Sequence, residues 1–319
     1  MSKKDILCIG TAIVDSIIRG LDPVPVSATG YRAESGALCV GGESVNAAMA
    51  AAKLGADVGI LCALGQDAAG SLIRASLDAC GVDTSQIVPS EATPITTMFV
   101  APDGSRKSIT NSAHRWNFHP ERYTDRIHAR AVLLGSLFRA PFDDPAIIRA
   151  VLAAAKADGA ITVADTKLPN FRVLTLLDLS DSLPLIDWIT PNEDEARHYT
   201  GENEPERMAN ALLALGVRNV IVKLGARGCF YKGEHGTLRL DALPIRAVDA
   251  TGAGDTFAAG FLSELLRGTD PLDAVRFGNA CGAITTTMVG ASAALRSREQ
   301  VLEWLSDCRE RRQTIFGRL

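Results

Sequence analysis

The chain has 319 residues, 47% of them hydrophobic, which is enough apolar material for one large α/β domain with a small appendage. Its 33 basic and 37 acidic residues give a net charge of −4, and no run of lysine or arginine marks a surface for nucleic acid or membrane lipid. Composition therefore argues against both partners and favours a small-molecule ligand.

The cysteines and the N-terminal residues bear on the compartment. Seven cysteines are scattered without a Cys-x-x-Cys pair, a pattern unlike a disulfide framework or a zinc site. No secretory apolar region precedes the first strand, and no apolar run approaches the length that spans a bilayer. We therefore expect reduced, buried cysteines and a cytoplasmic location.

The first predicted strand, Ile6 to Ile9, ends at Gly10, and Asp15 follows within a few residues. An acidic residue just past a strand end is well placed to bind a ligand, although a solvated loop aspartate fits the same pattern. Residues 17–40 are punctuated by prolines and glycines, and we expect them to form strands outside the main sheet.

A pair of glycines, Gly41 and Gly42, then precedes a helix of small residues that stops at Gly55. Asn46 lies one turn into this helix, where its amide is able to donate and accept hydrogen bonds with a hydroxylated ligand, or simply to face solvent. From here strand and helix patterns alternate, which indicates βαβ organisation.

Residues 93–100 and 106–110 flank a Pro-Asp-Gly-Ser turn and read as a hairpin. Together with residues 17–40, this hairpin is expected to build a small sheet that covers a site. Arg106 and the nearby His114 and Arg115 are candidates to face a substrate, and solvent exposure is the competing interpretation.

Further along, Asn192 and Glu195 stand three apart at a predicted helix start and share one face. Two oxygen ligands there suit Mg²⁺ held mainly through water, whereas an acid-rich helix start also arises for helix-dipole reasons. Val220 to Leu224 reads as a buried strand, and the turn from Gly225 to Gly228 after it is suited to lie against the phosphates of a nucleotide.

The most informative stretch runs from Asp249 to Phe257, where a glycine-rich turn opens directly into a helix. Backbone N–H groups around Gly252, Ala253 and Gly254 would lie at the positive end of the helix dipole and form an anion hole. Asp255 at its mouth would repel a phosphate unless it handles a proton, so the pairing suggests phosphoryl transfer with Asp255 as base.

These motifs together resemble the ribokinase-like (PfkB) carbohydrate kinases. The resemblance rests on the run from Asp249 to Phe257, on Gly41-Gly42-x-x-x-Asn46 upstream and on Pro191-Asn192-Glu193-x-Glu195 between them. It implies a single domain over residues 1–319 with a doubly wound, largely parallel α/β sheet and a small β lid built from residues 17–40 and 93–115. It also implies ATP-dependent phosphorylation of a sugar-like alcohol, and dimerisation through the lid.

The resemblance further implies a role for each candidate residue. Asp255 would take the proton from the attacking hydroxyl, while the amides of Gly252, Ala253 and Gly254 would stabilise the transferred phosphoryl group. The remaining assignments are Asp15, Gly41, Gly42, Asn46 and Arg106 for the acceptor, Leu224, Gly225, Gly228 and Asn279 for the nucleotide, Asn192 and Glu195 for Mg²⁺, and Asp249 with the Thr251 carbonyl for a K⁺-like ion.

The acceptor itself is left open between ribose, fructose, ketodeoxygluconate or a related sugar and a nucleoside. Glu43 beside the glycine pair argues against a phosphorylated sugar by charge repulsion, whereas Arg106 and its basic neighbours suit a sugar acid. Asp165-x-Lys167 departs from the Asp-x-Asn often seen in fructokinase-like and ketodeoxygluconate-kinase-like members. A neutral sugar or a nucleoside is the leading expectation.

Rival classes are tested by their own motifs. Gly10-Thr-Ala-Ile lacks the Gly-x-Gly-x-x-Gly of a nicotinamide dehydrogenase, and no Gly-x4-Gly-Lys-Ser/Thr of a Walker-type hydrolase occurs. A non-catalytic sugar or nucleotide sensor would share the binding residues, but it has no need of a base at Asp255. The sequence therefore predicts an enzyme.

Overall fold

The computed structural model describes residues 3–20, 32–101, 106–111, 118–170, 172–291 and 293–316, without the side chains of Arg106 and residues 308–316. The strands, in chain order, are β1 (Lys4–Ile9), β2 (Ile13–Arg19), β3 (Ser35–Gly41), β4 (Val58–Leu61), β5 (Ala63–Gly65), β6 (Val88–Ser90), β7 (Ile95–Val100), β8 (Arg106–Thr110), β9 (Ala129–Leu137), β10 (Ile161–Thr166), β11 (Trp188–Ile189), β12 (Asn219–Lys223), β13 (Cys229–Gly233) and β14 (Gly236–Leu240). The α-helices are α1 (Glu43–Lys53), α2 (Ala68–Ala79), α3 (Pro145–Ala157), α4 (Glu193–Thr200), α5 (Pro205–Ala214), α6 (Ala253–Leu266), α7 (Pro271–Thr285) and α8 (Arg298–Phe316).

Eight strands form the main sheet in the order β14-β13-β12-β11-β10-β9-β1-β4. Neighbouring strands from β12 to β4 pair in parallel. At the other edge, β13 pairs antiparallel with both β12 and β14. The chain builds outward from β1 in both directions, to β4 on one side and to β9 and its successors on the other. This confirms the doubly wound, largely parallel sheet, and it brings the carboxyl ends of six parallel strands to one edge.

Helices cover both faces of this sheet and divide the core in two. Alternate residues of β1 show the division, because Ile6 and Cys8 enter the cluster beneath α1, α6 and α7, whereas Leu7 and Ile9 enter the cluster beneath α3 and α5. All four side chains are fully buried. Burial on both faces is the reason that this strand reads as a continuous apolar run.

The helices begin where side chains satisfy their first amides. Asp67, Asp144 and Asp270 are the N-caps of α2, α3 and α7, and each accepts a hydrogen bond from a backbone N–H in the first turn. These aspartates therefore determine where the three helices begin.

The small sheet has the order β3-β2-β7-β8 and begins at Ile13, earlier than the residue 17 expected from sequence. Ile13, Val14 and Ile17 are buried, so the strand starts as soon as the chain leaves the main sheet. The predicted hairpin pairs as β7 and β8 in antiparallel register. Residues 21–31, 102–105 and 112–117, which carry part of the predicted lid together with His114 and Arg115, lie outside the described residues.

Two neighbouring cross-strand rows show that the two faces of this lid sheet differ. Leu38, Ser16, Thr97 and Ile109 are opposite one another across the four strands, and Leu38 and Ile109 are 67% and 70% exposed. The neighbouring row, on the other face, is Cys39, Asp15, Thr96 and Thr110, with a 2.8 Å hydrogen bond between the two threonine hydroxyls. One face is thus apolar and exposed, and the other carries Asp15.

The cysteine expectation is confirmed in part. All six cysteines of the described side chains are free thiols, and four of them are buried, whereas Cys39 and Cys80 are only half-buried. Within the same described ranges, no helix is long and apolar enough to cross a membrane.

Candidate active site

The candidate site lies at the carboxyl edge of the parallel strands, where α1, α4 and α6 begin. The glycine-rich turn before α6 sits at its centre. Gly252 adopts a left-handed φ of 75°, and a side chain there would collide with the carbonyl oxygen of Ala291. Only glycine satisfies both demands, so the turn that starts α6 is fixed by backbone packing.

The backbone amides of this turn differ in whether they already have a hydrogen-bond partner. The N–H of Ala253 donates a long 3.3 Å hydrogen bond to the carbonyl of Ala250, so one of the three predicted anion-hole donors has a weak partner within the loop. A Cβ on Gly254 would lie 2.9 Å from Lys223 Nζ. The turn therefore presents backbone N–H groups with an ammonium group close by, although Asp165 Oδ2 also lies 3.8 Å from the same Cβ position.

Asp255 lies in the first turn of α6 and is 6% exposed. Asn46 Nδ2 donates to its carboxylate at 2.8 Å across 209 residues of sequence. Burial raises the pKa of Asp255 to about 6; Lys167 opposes this increase, whereas Glu43 and Asp165 add to it. A buried carboxylate whose pKa lies near neutrality is able to accept a proton at neutral pH.

Asn46 is positioned by the start of α1. Gly42 is its N-cap with a φ of 96°, and a side chain there would collide with the Thr11 carbonyl, which also accepts a 2.7 Å hydrogen bond from Ser44 Oγ. With Nδ2 committed to Asp255, the buried Oδ1 of Asn46 has no hydrogen-bond partner among the described residues. An orphaned buried acceptor is costly unless a ligand supplies a donor, so this atom suits an acceptor hydroxyl.

A charged group that sequence analysis did not assign, Lys167, lies beside the start of α1 and acts electrostatically on Asp255. Lys167 Nζ is 3.6 Å from Glu43 Oε1, and Thr11 Oγ1 donates to Glu43 Oε2 at 2.9 Å. Burial works to lower the pKa of Lys167, but Glu43, Asp255, Asp165 and Glu195 outweigh it and raise this pKa. The negative charge of Glu43, which sequence reasoning set against phosphorylated substrates, is therefore partly neutralised by a neighbour.

A second unassigned pair lies beneath the anion hole. Lys223 Nζ and Asp165 Oδ1 are 2.5 Å apart, and Thr190 Oγ1 donates to the same oxygen at 2.7 Å. Asp165, Thr190 and Lys223 stand at or just beyond the ends of β10, β11 and β12, so the sheet itself brings them together. The strand-end positions of Asp165 and Lys167 were visible in the sequence, but their partners were not.

Asn192 and Glu195 form a reciprocal capping box at the start of α4. Glu195 N–H donates to Asn192 Oδ1 at 2.9 Å, and Asn192 N–H donates to Glu195 Oε2 at 2.9 Å. Thr166 Oγ1 also donates to Oε2 and Asn192 Nδ2 to Oε1, each at 2.7 Å. Most lone pairs of Glu195 are thus used, which fits a cation held through water better than direct ligation.

At the predicted cation site, the side chain of Asp249 accepts hydrogen bonds from Thr251 in the same loop. Asp249 Oδ1 accepts hydrogen bonds from Thr251 Oγ1 at 2.7 Å and from Thr251 N–H at 3.1 Å. These bonds fix the loop that delivers Gly252. Among the described residues no group of three or more His, Cys, Asp or Glu could hold a metal ion.

Gly225 and Gly228, two residues of the predicted nucleotide site, have different surroundings. Gly225 has a left-handed φ of 57° and open space around the position of a side chain, which leaves room for a ligand. Gly228 has a φ of 84° and would collide with the Leu240 carbonyl, so strand packing alone requires it. Leu224 is buried, and Asn279 is half-buried with its Nδ2 donating to the Asp241 carbonyl at 3.0 Å.

On the acceptor side, Asp15 approaches the end of β3, where a side chain on Gly41 would collide with Asp15 Oδ2. The structure thus brings Asp15, Gly41 and Gly42 to one corner of the cleft. The backbone of Arg106 lies in β8, and its side chain is outside the described residues.

Comparison with known proteins gives a consistent result. The model of the family described as pfkB family carbohydrate kinase matches residues 3–298. The ribokinase of Haemophilus influenzae is 31% identical over 278 residues, which cover 84% of this chain and 88% of that protein. The Arabidopsis thaliana ribokinase complexed with ribose and ATP superposes with a TM-score of 0.82 at 27% identity, covering 95% of this chain and 99% of that one. A putative ribokinase II from E. coli, in complex with ATP and Mg²⁺, gives 0.80 at 25% identity, covering 95% and 99%.

Proposed function

This chain belongs to the pfkB family of carbohydrate kinases, which are phosphotransferases acting on a sugar hydroxyl, and we propose that it transfers the γ-phosphoryl group of ATP to a small neutral sugar, with ribose as the first candidate. In this proposal, Asp255 is the base that takes the proton from the acceptor hydroxyl. A protein accelerates such a transfer mainly by positioning the reactants and stabilising charge, and a base that accepts the hydroxyl proton adds to this.

The observation that carries the proposal is the Asn46–Asp255 pair at the anion-binding start of α6. Asn46 turns one amide atom to the base and leaves its buried oxygen to receive a donor. A hydroxyl that donates to Asn46 Oδ1 would lie next to the Asp255 carboxylate, and the glycine turn is one residue away. In this proposal, the base, the acceptor hydroxyl and the anion-binding turn would meet around one position.

ATP and Mg²⁺ are proposed because structural relatives bind them. Gly225 has room for a nucleotide, and Leu224, Gly228 and Asn279 belong to the same side of the cleft. Bound Mg²⁺ would neutralise phosphate charge, and the capping box of Asn192 and Glu195 would hold its waters. Gly252, Ala253 and Gly254 would then bind the transferred phosphoryl oxygens through their amides.

A monovalent cation is proposed at Asp249 and the carbonyl of Thr251. Such an ion would lie beside the loop that delivers Gly252, so it would stabilise that loop rather than take part in the chemistry. The proposal predicts higher turnover in KCl than in NaCl of equal ionic strength. Equal turnover in the two salts would remove the ion from the account.

The charges around the acceptor corner favour an uncharged substrate. Asp15, Glu43 and Asp255 bring three carboxylates to this corner, and Lys167 offsets one of them. A phosphorylated or acidic sugar would meet net negative charge there, whereas the hydroxyls of a neutral sugar would find acceptors. Arg106 is assigned to the same substrate from its position in β8.

The experiment measures ADP release from MgATP with ribose, fructose, ketodeoxygluconate, common hexoses and nucleosides. Ribose or another neutral sugar is expected to exceed the others clearly in kcat/KM, because the acceptor hydroxyl must be placed for in-line attack. A nucleoside as the best acceptor would replace the sugar in this proposal. If ATP binds but no acceptor accelerates ADP release, the sensor interpretation is favoured.

A homodimer through the lid is also proposed. Leu38 and Ile109 lie in one row of the lid sheet and expose an apolar surface on the face opposite Asp15. Exposed apolar side chains on one face of a small sheet are typical of a surface that another protein covers. A dimeric mass in light scattering supports this arrangement, and a monomeric mass contradicts it.

A further inference from the structure

The inference concerns Glu43 and Lys167, which no motif assigns and which lie beside the proposed base. Glu43 is the first residue of α1, on the same helical face as Asn46, and Lys167 follows β10 directly. Their charged atoms are 3.6 Å apart, a distance at which the lysine keeps hydrogen-bonding capacity for other groups. Its side chain is 30% exposed, so it is only partly buried.

Both ends of this pair are held in place. Glu43 Oε2 accepts from Thr11 Oγ1 at 2.9 Å. The backbone of Lys167 is fixed on two sides, since its N–H donates to the Leu137 carbonyl at 2.9 Å and its carbonyl accepts from Tyr199 Oη at 2.6 Å. Tyr199 in turn stacks on Phe138 with ring centroids 3.8 Å apart. The backbone of Lys167 is therefore fixed at the end of the strand, and its ammonium group lies near Glu43.

We propose that Glu43 and Lys167 are positioning residues that act on the reaction through Asp255, as an opposed pair of charges that sets the charge state in which this carboxyl meets the acceptor hydroxyl. The inference rests on the proposed role of Asp255 as base. Lys167 stabilises the carboxylate that accepts the proton, and Glu43 limits that effect. Removing the charge of Lys167 and removing the charge of Glu43 are therefore expected to move the pH dependence in opposite directions.

The other charged groups on the elements around Asp255 are paired with one another. Asp165 opposes ionisation of Asp255 and is itself paired with Lys223 at 2.5 Å. On α7, which packs along α6, Asp273 and Arg276 pair with each other near the surface. At the far end of α6, Glu264 pairs with Arg298. Glu43 and Lys167 are thus the pair whose signs oppose one another on the acceptor side of Asp255.

The test is the pH profile of kcat/KM between pH 5 and 9 in four variants. Lys167→Met is expected to move the acidic limb upward by about one pH unit, because an opposite charge near a carboxyl lowers its pKa by about 1 to 3 units. Glu43→Gln is expected to move the limb downward. Lys167→Arg keeps the charge and is expected to leave the limb in place.

The matched control is Lys156→Met. Lys156 is also half-buried, with 31% of its side chain exposed, and it pairs with Asp187 at 2.7 Å beside β11, away from the carboxyl edge. Its loss is expected to lower the melting temperature and to leave the acidic limb unmoved. Melting curves of all variants identify any that fail to fold, and if Lys167→Met is one of them, the sign of the shift in Glu43→Gln decides.

Three outcomes overturn the inference. These are limbs that do not move, limbs that move in the same direction for both charges, and a uniform fall of kcat/KM in Lys167→Met at every pH, which would mark Lys167 as a substrate contact. Asp255→Asn separates this failure from that of the proposed function. If Asp255→Asn retains full turnover, the base assignment fails; if it abolishes turnover while the limbs stay fixed, only the role of Glu43 and Lys167 fails.

Discussion

At the scale of single residues, the site depends on one carboxyl that the fold buries at a cost. Asp255 is 6% exposed and its pKa is raised to about 6 by that burial, with Asn46 as its hydrogen-bond donor. A buried charge without full compensation destabilises the folded state, and such costs concentrate where chemistry is performed. The same burial that suits Asp255 to its proposed role as base therefore weakens the fold.

This cost gives a stability prediction for Asp255→Asn. Because the folded pKa is raised, the contribution of the protonated carboxyl is present below about pH 4 and is lost as the pH rises through about 6. The variant is expected to be more stable than the wild type at pH 8, by on the order of 2 to 3 kcal/mol of unfolding free energy. Paired urea titrations at pH 8 and pH 4 measure this, and a difference that does not depend on pH would contradict it.

A second residue-scale prediction concerns Asn46→Ala. It removes the donor to Asp255 and the orphaned acceptor, so kcat/KM is expected to fall roughly 10- to 100-fold, since a hydrogen bond to a charged group is worth about 1.5 to 3 kcal/mol. Asn219→Ala is the control, because Asn219 is equally buried but bonds the Asp187 carbonyl and Tyr231 within the main sheet. It is expected to lose stability and keep kcat/KM. Equal kinetic losses would deny Asn46 a special role.

Sequence predicted these residues unevenly, and the reason is distance along the chain. Asp255, Gly252 and Gly254 belong to one short local motif, so their spacing is visible. The 209-residue separation of Asn46 from Asp255 and the 58-residue separation of Asp165 from Lys223 are created only by the sheet. Glu43 and Lys167 were each noticed in the sequence, but their pairing was not visible from spacing.

At the scale of elements, glycines decide where the functional helices start. Gly42 and Gly252 are the N-caps of α1 and α6, and both have left-handed φ values and contacts that exclude a side chain. Neither N-cap supplies a side-chain hydrogen bond. The amides at these starts are therefore left to the loop and to ligands, unlike those of the aspartate-capped helices.

The effect of Gly252→Ala is compared with that of a substitution at a glycine with nearly the same φ. Gly81 has a φ of 77°, close to the 75° of Gly252, but open space surrounds its side-chain position. Gly81→Ala is expected to cost about 1 kcal/mol of stability from backbone strain alone. Gly252→Ala is expected to cost more, because it adds the collision with Ala291, and to abolish most turnover. Chemical denaturation and ADP release measure both, and equal losses of stability would contradict the packing argument.

Element boundaries followed from sequence where a glycine marked them, as at Gly42 and Gly252. The start of β2 at Ile13 was missed, because the first strand and this one are separated only by a short turn. Helices α5 and α8 were not predicted. In the second case a mostly polar helix gives little apolar periodicity from which to recognise it.

At the scale of the whole molecule, the doubly wound order explains why the site is where it is. Strands β1, β9, β10, β11 and β12 all end at one edge of the sheet, and α1, α4 and α6 begin there. The lid sheet then sets Asp15 near the start of α1. The overall fold was predictable because it follows from strand–helix alternation and a family resemblance. The small sheet was predicted less closely, since its first strand begins at Ile13 rather than at residue 17.

The proposed lid dimer is tested at this scale. Ile109→Glu places a charge on the exposed apolar face of the lid and is expected to shift the mass in light scattering from dimer to monomer. Leu177→Glu is the control, since Leu177 is 75% exposed but lies outside the lid. Dissociation by both variants, or by neither, would argue against a dimer formed by this face.

The most direct test of the central claim is ³¹P NMR of the protein with ribose and MgATP. The account predicts a new phosphomonoester signal that grows in step with ADP and is lost in Asp255→Asn. It is contradicted if neither ribose nor any neutral sugar of the panel yields a phosphomonoester, or if folded Asp255→Asn forms it at the wild-type rate.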